Sequence, residues 1–362
     1  MENKKRVLFV SPSSLNNGGV QYVLMNIVRS FCDVCSFDII VFNSTQNFYK
    51  EEFLSYGGKI YNFPSSEGKN KIDKITTYFL KRWNYRKRLK NLFKHKTYDI
   101  IHCCNHYDAD IFVKISKKNR VYTRIVHSNG CFNFQSKLKR LIRKMNLKVI
   151  KKYATDFIAC SFQSFVSFFG NDFKPNILYA PLNNSVMFSS KKPNKIVLIQ
   201  IGLFCNNKNQ TFSLDVIDEL NKYADSELIL LGNGDSRTIR DYIQNKHLEK
   251  NVTILEGDFD KNIAFQKSSY FIFPSKLEGF GIVLIEAQAA GLKCFASNSV
   301  PKETNCGGVT YLSLSSGAKK WAEIIYNEFL LDGGKKNNYD CTRFSQESFV
   351  LKISKLYNIK KI

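Results

Sequence analysis

The sequence has no long hydrophobic run. None of its apolar stretches approaches the roughly 18 residues that a membrane-spanning helix requires, and the stretch after the basic start, VLFV, is too short for a signal peptide. A disordered chain is also excluded, because 44% of the 362 residues are hydrophobic and 14% are aromatic. We therefore expect a globular cytoplasmic protein.

A second Cys-x-x-Cys motif is also missing. Cys32 and Cys35 form one Cys-x-x-Cys motif, but no second pair or nearby histidine cluster completes a zinc site. The other cysteines are scattered, and a thiol in or beside an apolar strand behaves as a small buried hydrophobe. Four of the ten cysteines have this setting: Cys103, Cys104, Cys160 and Cys294. We expect free thiols and no disulfide.

Acidic residues are scarce. The chain has 31 Asp and Glu against 54 Lys and Arg, a formal charge of +23. The deficit is concentrated in two segments: residues 69–96 hold eleven cations and the single acid Asp73, and residues 137–152 hold eight cations and no acid. No helix-turn-helix or zinc module accompanies this charge, so we do not expect a nucleic-acid partner.

The second basic segment has the pattern of an amphipathic helix. Its cations lie on the faces away from the apolar stripe, which consists of Leu138, Leu141, Ile142, Met145 and Val149. Three interpretations stay open: the stripe packs on the core and the lysines are solvated, or the helix contacts anionic lipid head groups, or, least favoured, it binds nucleic acid.

Apolar segments rich in Val, Ile, Phe and Tyr alternate with helical patterns along nearly the whole chain. Parallel strands need crossovers of a dozen or more residues, so this alternation predicts α/β domains with parallel, doubly wound sheets. The strands predicted for the first series are Arg6–Ser11, Phe37–Phe42, Lys59–Phe63, Asp99–Cys103, Val121–His127, Asp156–Cys160 and Ile177–Ala180. Those of the second are Ile196–Ile201, Glu227–Leu231, Val252–Glu256, Tyr270–Pro274, Lys293–Ala296 and Val309–Leu312.

A polar, proline-bounded segment around residues 181–195 separates the two series. The predicted domains are residues 1–185 and residues 186–344. Residues 345–362 follow as a helix that we expect to pack back on the first domain.

The most informative motif covers residues 274–291, PSKLEGFGIVLIEAQAAG. It leads from an apolar strand through two glycines into a helix, so backbone N–H groups and the positive end of a helix dipole lie at the strand's carboxyl edge, where an anion binds favourably. Glu278 is in the loop and Glu286 lies about two helical turns on, roughly 10 Å away. Taken alone, the two glutamates fit a structural interpretation equally well. In that interpretation Glu278 caps the helix and Glu286 is a solvated helix residue.

With these two glutamates eight residues apart, the chain resembles the retaining, nucleotide-sugar-dependent glycosyltransferases of family 4. The resemblance covers nearly the whole chain and is strongest from Lys195 to Trp321. It implies the GT-B fold, in which two Rossmann-like domains face each other across a cleft, the first binding the acceptor and the second the nucleotide sugar. The segment from Val300 to Glu323 is similar to transferases of bacterial capsular or exopolysaccharide assembly.

In the first domain the resemblance assigns roles to three positions. Gly18 and Gly19 match the loop that faces the donor diphosphate and the acceptor, and glycine there permits positive φ and close approach of backbone N–H groups. Gln21 stands where the family usually has an acid. His127, at a predicted strand end, matches a histidine placed against the transferred sugar, although a lone histidine there is more often structural.

In the second domain the matching positions follow the order of the family. Gly202 precedes Leu203, where the family typically has arginine, and Lys208 matches the lysine that grips the diphosphate. The turn Leu230–Gly234 resembles the family's strand-to-turn element. Gly257 and Phe259 match, less specifically, the loop that borders the nucleobase.

The resemblance implies a mechanism. Lys208 and the N–H groups of Gly279, Phe280 and Gly281 would stabilise the leaving diphosphate. Glu286 would bind the ribose hydroxyls, and Glu278 with His127 would hold the transferred sugar. We find no Asp-x-Asp metal motif in a suitable loop, so we expect no cofactor and no required divalent metal.

The sequence thus predicts a retaining glycosyltransferase that uses a nucleotide sugar, UDP-linked by expectation, and a glycan or lipid-linked acceptor. The basic first domain fits an anionic surface, so we expect a peripheral location on the inner face of the plasma membrane. The alternatives are a nucleotide-sugar epimerase of the same architecture, whose acid–base carboxylates we cannot locate, and a basic nucleic-acid-binding protein.

Overall fold

The computed structural model describes residues 4–42, 48–64, 71–104, 108–131, 137–182, 186–190, 193–257 and 259–359. The chain divides into two compact units, Met1–Pro181 with Glu347–Ile362, and Leu182–Gln346. No helix among the described residues combines the length and apolar character needed to cross a membrane.

The first unit contains a six-stranded parallel sheet in the order β3-β2-β1-β4-β5-β6. Its strands are β1 (Lys5–Val10), β2 (Cys35–Val41), β3 (Lys59–Asn62), β4 (Ile100–Cys103), β5 (Thr123–Ser128) and β6 (Asp156–Ala159). Its helices are α1 (Gly19–Phe31), α2 (Lys50–Ser55), α3 (Lys71–His95), α4 (Ala109–Lys118), α5 (Lys137–Tyr153), α6 (Phe162–Phe169) and α12 (Gln346–Tyr357), the last grouping with this unit from Glu347 on.

The second unit contains a six-stranded sheet in the order β12-β11-β10-β7-β8-β9, also parallel. Its strands are β7 (Ile196–Ile201), β8 (Ser226–Gly232), β9 (Val252–Glu256), β10 (Tyr270–Phe273), β11 (Lys293–Ser297) and β12 (Val309–Leu312). Its helices are α7 (Gln210–Leu220), α8 (Arg237–Asn245), α9 (Lys261–Gln266), α10 (Ile282–Ala289) and α11 (Gly317–Asp332), with short 3-10 turns between β11 and α12.

Burial explains why the central strands form. All six residues of β7 and all four of β10 are buried, as expected for parallel strands covered by helices on both faces. Apolar side chains of helices α7 and α11 pack with those of β7 and β8 in one core cluster, and those of α10 pack with β10 and β11 in another. The two-sheet α/β architecture predicted from the sequence is confirmed.

One predicted strand is absent. Ile177–Ala180 forms only an isolated bridge, between Ala159 and Ile177. The segment follows β6, the last strand in the order of the first sheet, and does not form a seventh ladder.

Candidate functional site

The candidate site of the second unit lies at the carboxyl ends of β7 and β10. In the sheet, β7 has β10 on one side and β8 on the other, and β8 is the next strand along the chain. The connections that leave β7 and β10 therefore diverge, and open α/β sheets bind ligands in the crevice at such a switch point. The order of the strands in the sheet thus places residues 202–209 and 274–281 side by side.

Hydrogen bonds hold these two loops together. The Lys276 N–H donates to the Asn207 carbonyl at 2.8 Å, and Asn207 Nδ2 donates to the Leu277 carbonyl at 2.7 Å. Asn209 Nδ2 adds a bond to the Pro274 carbonyl at 3.2 Å. These bonds to backbone carbonyls fix the two loops relative to each other, and they thereby position the side chains of the loops.

Lys208 and Glu278 meet across the two loops. Their Nζ and Oε2 atoms are 2.5 Å apart, and the side chains are only 18% and 14% exposed. Lys208 Nζ also lies 4.8 Å from the centre of the Phe273 ring, and its aliphatic stem packs beside Gly202. Gln200 Nε2 donates to the Lys208 carbonyl at 2.7 Å. A cation and a carboxylate predicted from separate motifs are therefore a single ion pair.

The glycines of the second loop allow its sharp turn into α10. Gly281 caps the helix with φ 90° and ψ 53°, a left-handed conformation that disfavours other residues. Phe280 is buried and packs against Phe344, with ring centres 5.9 Å apart, and Gly279 is half-buried. The N-terminus of α10 consequently follows directly after Glu278.

Glu286 lies inside the unit rather than on an open helix face. The residue is 3% exposed, and both its oxygens accept bonds of 2.7 Å from Lys261 Nζ. Lys261 is the first residue of α9, whose N-terminal cap is Asp260. A carboxylate has about four acceptor positions, so this pairing leaves capacity for ribose hydroxyls. Sequence reasoning missed Lys261, because no motif marks it.

A close backbone approach explains the turn after β8. A Cβ atom at Gly232 would lie 2.0 Å from the Gly202 carbonyl oxygen, so only glycine fits between β7 and β8 there. The Phe204 N–H donates to the Asn233 carbonyl at 2.7 Å. Leu203, at the position of the family's usual arginine, is 57% exposed.

The predicted nucleobase loop is at the same edge of the sheet. The Gly257 N–H donates to Asn233 Oδ1 at 3.0 Å, which ties the loop after β9 to the turn after β8. Phe259 is 45% exposed. Asp258, between them, lies outside the described residues.

In the first unit, Gly18 and Gly19 lie at the start of α1, as predicted. The structure does not use the positive φ that glycine permits, because Gly18 has φ −109° and Gly19 is not among the glycines with positive φ. A Cβ at Gly18 would lie 2.7 Å from Gln21 Oε1 and 2.8 Å from Asn16 Oδ1, so those side-chain ends would have to shift. A Cβ at Gly19 meets nothing within 4 Å.

Gln21 has a structural role that the sequence did not reveal. It is buried, and its Nε2 donates to Ser13 Oγ at 2.9 Å, Ser14 O at 3.0 Å and Ser11 Oγ at 3.2 Å. A carboxylate could not donate to the Ser14 carbonyl. The amide therefore fits the loop after β1 of this chain better than the family's acid would.

His127 is fully buried at the end of β5. Its Nδ1 lies 3.1 Å from His102 Nε2 and 3.9 Å from Cys104 Sγ. Burial, and secondarily His102, holds the pKa of His127 well below its ordinary value; burial lowers the pKa of His102 to about 3 and raises that of Cys104 to about 12. Both imidazoles are thus neutral. This trio is also the one group of potential metal ligands found among the described residues.

The structure therefore brings Gly202, Lys208, Glu278 and the start of α10 together, with Glu286 on the same helix. His127, Gly18 and Gly19 belong to the first unit, at the carboxyl ends of β5 and β1.

Comparisons with known proteins find similarity to glycosyltransferases. Residues 184–340 match the family model described as glycosyl transferases group 1. The chain is 25% identical over 349 residues to the "Putative glycosyltransferase EpsF" of Bacillus subtilis (strain 168), covering 89% of this chain and 87% of EpsF. It is 23% identical to the capsular polysaccharide biosynthesis glycosyltransferase CapH of Staphylococcus aureus, covering 79% of each chain.

A third relative and a solved structure extend the comparison. A UDP-Gal:alpha-D-GlcNAc-diphosphoundecaprenol alpha-1,3-galactosyltransferase of Escherichia coli is 24% identical, over 58% of this chain and 60% of its own. The crystal structure of Anabaena HepE in complex with UDP superposes with a TM-score of 0.76 at 15% identity, covering 98% of this chain and 99% of HepE. This likeness shows the fold.

The two parallel six-stranded sheets with their helices match the structures of GT-B glycosyltransferases. Residues 184–340, within the second unit, are similar to the glycosyl transferases of group 1. The match favours a transferase over the epimerase alternative.

Proposed function

We propose that this chain transfers a sugar from a UDP-sugar to a lipid-linked glycan acceptor, with retention of anomeric configuration, in bacterial polysaccharide biosynthesis. The observation that carries the proposal is the Lys208–Glu278 pair at the switch point of the second sheet, directly before α10. It supplies a cation, an acid and a helix N-terminus at one place, which are the groups that a sugar diphosphate requires.

Each part of the donor has a proposed partner. Lys208 and the N–H groups of residues 279–281 bind the diphosphate, and Gly202 lets it approach the end of β7. Glu286 accepts from the ribose hydroxyls, while Gly257 and the exposed Phe259 border the base. Solved HepE structures contain UDP and UDP-glucose, which supports UDP as the nucleotide.

The proposed reaction forms a bond between the acceptor oxygen and the anomeric carbon as the bond from that carbon to the β-phosphate oxygen breaks. The acceptor's proton passes to the departing phosphate oxygen, so no further base is needed. Lys208 and the α10 dipole stabilise the charge that develops on UDP. Glu278 and His127 hold the transferred sugar, and Gly18 and Gly19 border the acceptor. We propose that no divalent metal takes part, and unchanged transfer in EDTA is the expected result.

The acceptor is proposed from the relatives. CapH is by its name a glycosyltransferase of capsular polysaccharide biosynthesis. The E. coli relative by its name uses a diphosphoundecaprenol-linked sugar. An acceptor of that class lies in a membrane, so the enzyme must reach the bilayer surface.

The first unit presents a surface suited to this contact. On α5 the side chains of Leu138, Leu141 and Met145 are 55%, 56% and 61% exposed, whereas Leu147 and Ile150 pack on the core. The apolar stripe predicted from the sequence is thus largely in solvent, among cations and no acid. We propose that this helix binds anionic lipid.

Helix α3 extends the surface. Phe79, Leu80 and Trp83 are 64%, 58% and 60% exposed, and the Tyr78 hydroxyl of α3 bonds the side chain of Asn146 on α5. The two basic helices are therefore neighbours, and together they form what we name the basic face, residues 78–94 and 137–152.

Glu286 offers a test that depends on the donor's ribose. If its carboxylate accepts from the 2′-hydroxyl, 2′-deoxy-UDP should bind wild type at least about tenfold more weakly than UDP, because a hydrogen bond to a charged group contributes about 1.5–3 kcal/mol. In Glu286→Gln the two nucleotides should bind with similar, weak affinity. Calorimetry measures the affinities of both nucleotides. A DNA oligonucleotide is measured beside them, to test the nucleic-acid alternative.

Two results would contradict the donor site. One is an unchanged preference for UDP over 2′-deoxy-UDP in Glu286→Gln. The other is thermal stabilisation by the oligonucleotide but not by UDP or any UDP-sugar, which would favour the nucleic-acid alternative.

A further inference from the structure

A chain of hydrogen bonds runs from α12 to His127. The Tyr357 hydroxyl lies 2.9 Å from His102 Nδ1, and His102 Nε2 lies 3.1 Å from His127 Nδ1. All three side chains are fully buried. At the far end, His127 Nε2 has no hydrogen-bond partner among the residues that the structure describes.

Counting protons selects one arrangement of this chain. Each neutral imidazole carries a single N–H. If Tyr357 donates to His102 Nδ1, then His102 donates from Nε2 to His127 Nδ1, and the proton of His127 must lie on Nε2. In the reverse arrangement neither the phenol proton nor the His127 Nε2 lone pair has a partner among the described residues. The first arrangement leaves only the His127 Nε2–H unpaired, and each unmade bond to a buried donor costs about 1–3 kcal/mol.

We propose that Tyr357 and His102 are positioning residues that hold His127 in the Nε2–H tautomer, so that this nitrogen donates to an oxygen of the donor sugar. The hydrogen bond from His127 to the donor sugar rests on the proposed function, whereas the Nε2–H tautomer of His127 does not. Because His127 is fully buried in the unliganded chain, the proposal also requires that the side chains over Nε2 move aside when the sugar binds.

The proposal goes beyond the resemblance, which marked His127 alone. No sequence motif marks His102, and Tyr357 lies 255 residues from His102 along the chain. The proposal gives helix α12 a part in the reaction, through the orientation and protonation of a residue on β5.

The first test is spectroscopic and needs no donor. Nitrogen-15 NMR of the histidine-labelled chain should show His127 protonated on Nε2 only. Tyr357→Phe, which removes one oxygen and no carbon, should give a mixture of both tautomers. The matched control is Tyr98→Phe, which removes a buried hydroxyl that bonds Asp38 at 2.7 Å in the same unit and should leave His127 unchanged.

The second test uses transfer from a UDP-sugar. Tyr357→Phe should lower kcat about fivefold or more, as expected for the loss of about 1 kcal/mol or more, with little change in the KM for the donor. His127→Gln keeps an amide N–H but has no tautomers. In that background Tyr357→Phe should have no further effect, whereas a purely structural role of Tyr357 would lower kcat in both backgrounds.

The outcomes separate this proposal from the function. A proton on His127 Nδ1 in wild type overturns the relay, whatever the transfer assays show. One equivalent of zinc in the purified chain also overturns it, because His102, Cys104 and His127 would then be ligands. Transfer that is unaffected in His127→Ala overturns the contact with the sugar while leaving the glycosyltransferase function intact.

Discussion

Lys208 and Glu278 neutralise each other while no donor is bound. A diphosphate that binds Lys208 brings negative charge close to the Glu278 carboxylate, which must then turn to another partner. The two residues should therefore affect nucleotide binding in opposite directions, although they form one ion pair.

Lys208→Ala should weaken UDP binding by about 1.5–3 kcal/mol, the contribution of a hydrogen bond to a charged group. Glu278→Gln should leave UDP affinity equal or higher, because a competing negative charge is removed, and should lower kcat through lost contact with the sugar. Calorimetry with UDP and steady-state transfer assays measure the two effects.

The control for this pair is Lys293→Ala. Lys293 is paired with Glu328 and similarly half-buried, at the opposite, amino edge of the same sheet. It should leave UDP affinity unchanged. Equal losses of affinity in Lys208→Ala and Glu278→Gln would show that the pair only supports the loops.

The buried histidines predict a pH dependence of stability. The folded-state pKa of His102 is about 3 and that of His127 is also lowered by burial, whereas both are about 6.5 in the unfolded chain. Their stabilising effect is thus fully present above pH 6.5 and is lost as the pH falls below it. Relative to pH 7.5, the stability at pH 5.5 should be lower by about 1 kcal/mol through His102, and it should fall further through His127.

Chemical denaturation at the two pH values checks this result. Between the two pH values, the free energy of unfolding should fall less in His102→Gln than in wild type, by about 1 kcal/mol. An identical pH dependence in both proteins would mean that His102 titrates in the folded state.

At the scale of elements, the junction of β7 and β8 depends on Gly232. A Cβ there would lie 2.0 Å from the Gly202 carbonyl oxygen, which is backbone and cannot rotate away. Gly232→Ala should therefore destabilise the chain by about 2 kcal/mol or more through overpacking, and should weaken UDP binding because the end of β7 shifts.

Gly19→Ala is the matched control for stability. Its Cβ would meet nothing within 4 Å and the residue has no positive φ, so the free energy of unfolding should change by less than about 0.5 kcal/mol. A comparable loss of stability in both variants, measured by thermal denaturation, would contradict the steric argument.

The strands were predictable because parallel β-strands are apolar throughout. Residues 196–201 and 252–256 were predicted with the observed bounds. The segment Ile177–Ala180 has a similar composition, and local sequence does not tell whether a sheet will accept another strand. Helix α5 was also predicted, but the side that packs on the core, with Leu147 and Ile150, was not.

The site residues were predictable only where a motif fixes the backbone. Glu278 and Lys208 follow strand ends, so the fold brings them together. Lys261 and Tyr357 reach Glu286 and His102 through tertiary packing, and no spacing in the sequence encodes those contacts. Gln21 stands where the family usually has an acid. Its structural role could not be predicted, because its three hydrogen bonds depend on the conformation of the loop after β1.

At the scale of the whole molecule, the charge of +23 is not spread evenly. The basic face carries many of the cations beside exposed Leu, Met, Phe and Trp side chains, a combination that buries apolar groups in the lipid interface while lysines and arginines contact anionic head groups. A lysine or arginine near such a surface contributes about 1 kcal/mol. The attraction is screened beyond about 10 Å at 0.1 M salt.

Binding to phosphatidylglycerol vesicles should therefore fall steeply as salt rises from about 0.05 to 0.5 M, as measured by co-sedimentation. Replacing Leu138, Leu141 and Met145 together by serine should weaken binding at every salt concentration, by about 2 kcal/mol or more, since burying one such side chain contributes about 1.5–3 kcal/mol. The control replaces Leu330 and Leu331, which are 65% and 85% exposed on α11, and should bind as wild type does. Vesicle binding that does not change with salt would rule out the basic face as the membrane contact, because its charge would then have no effect. An equal loss of binding in both variants would rule it out as well, because its apolar stripe would then not differ from the rest of the surface.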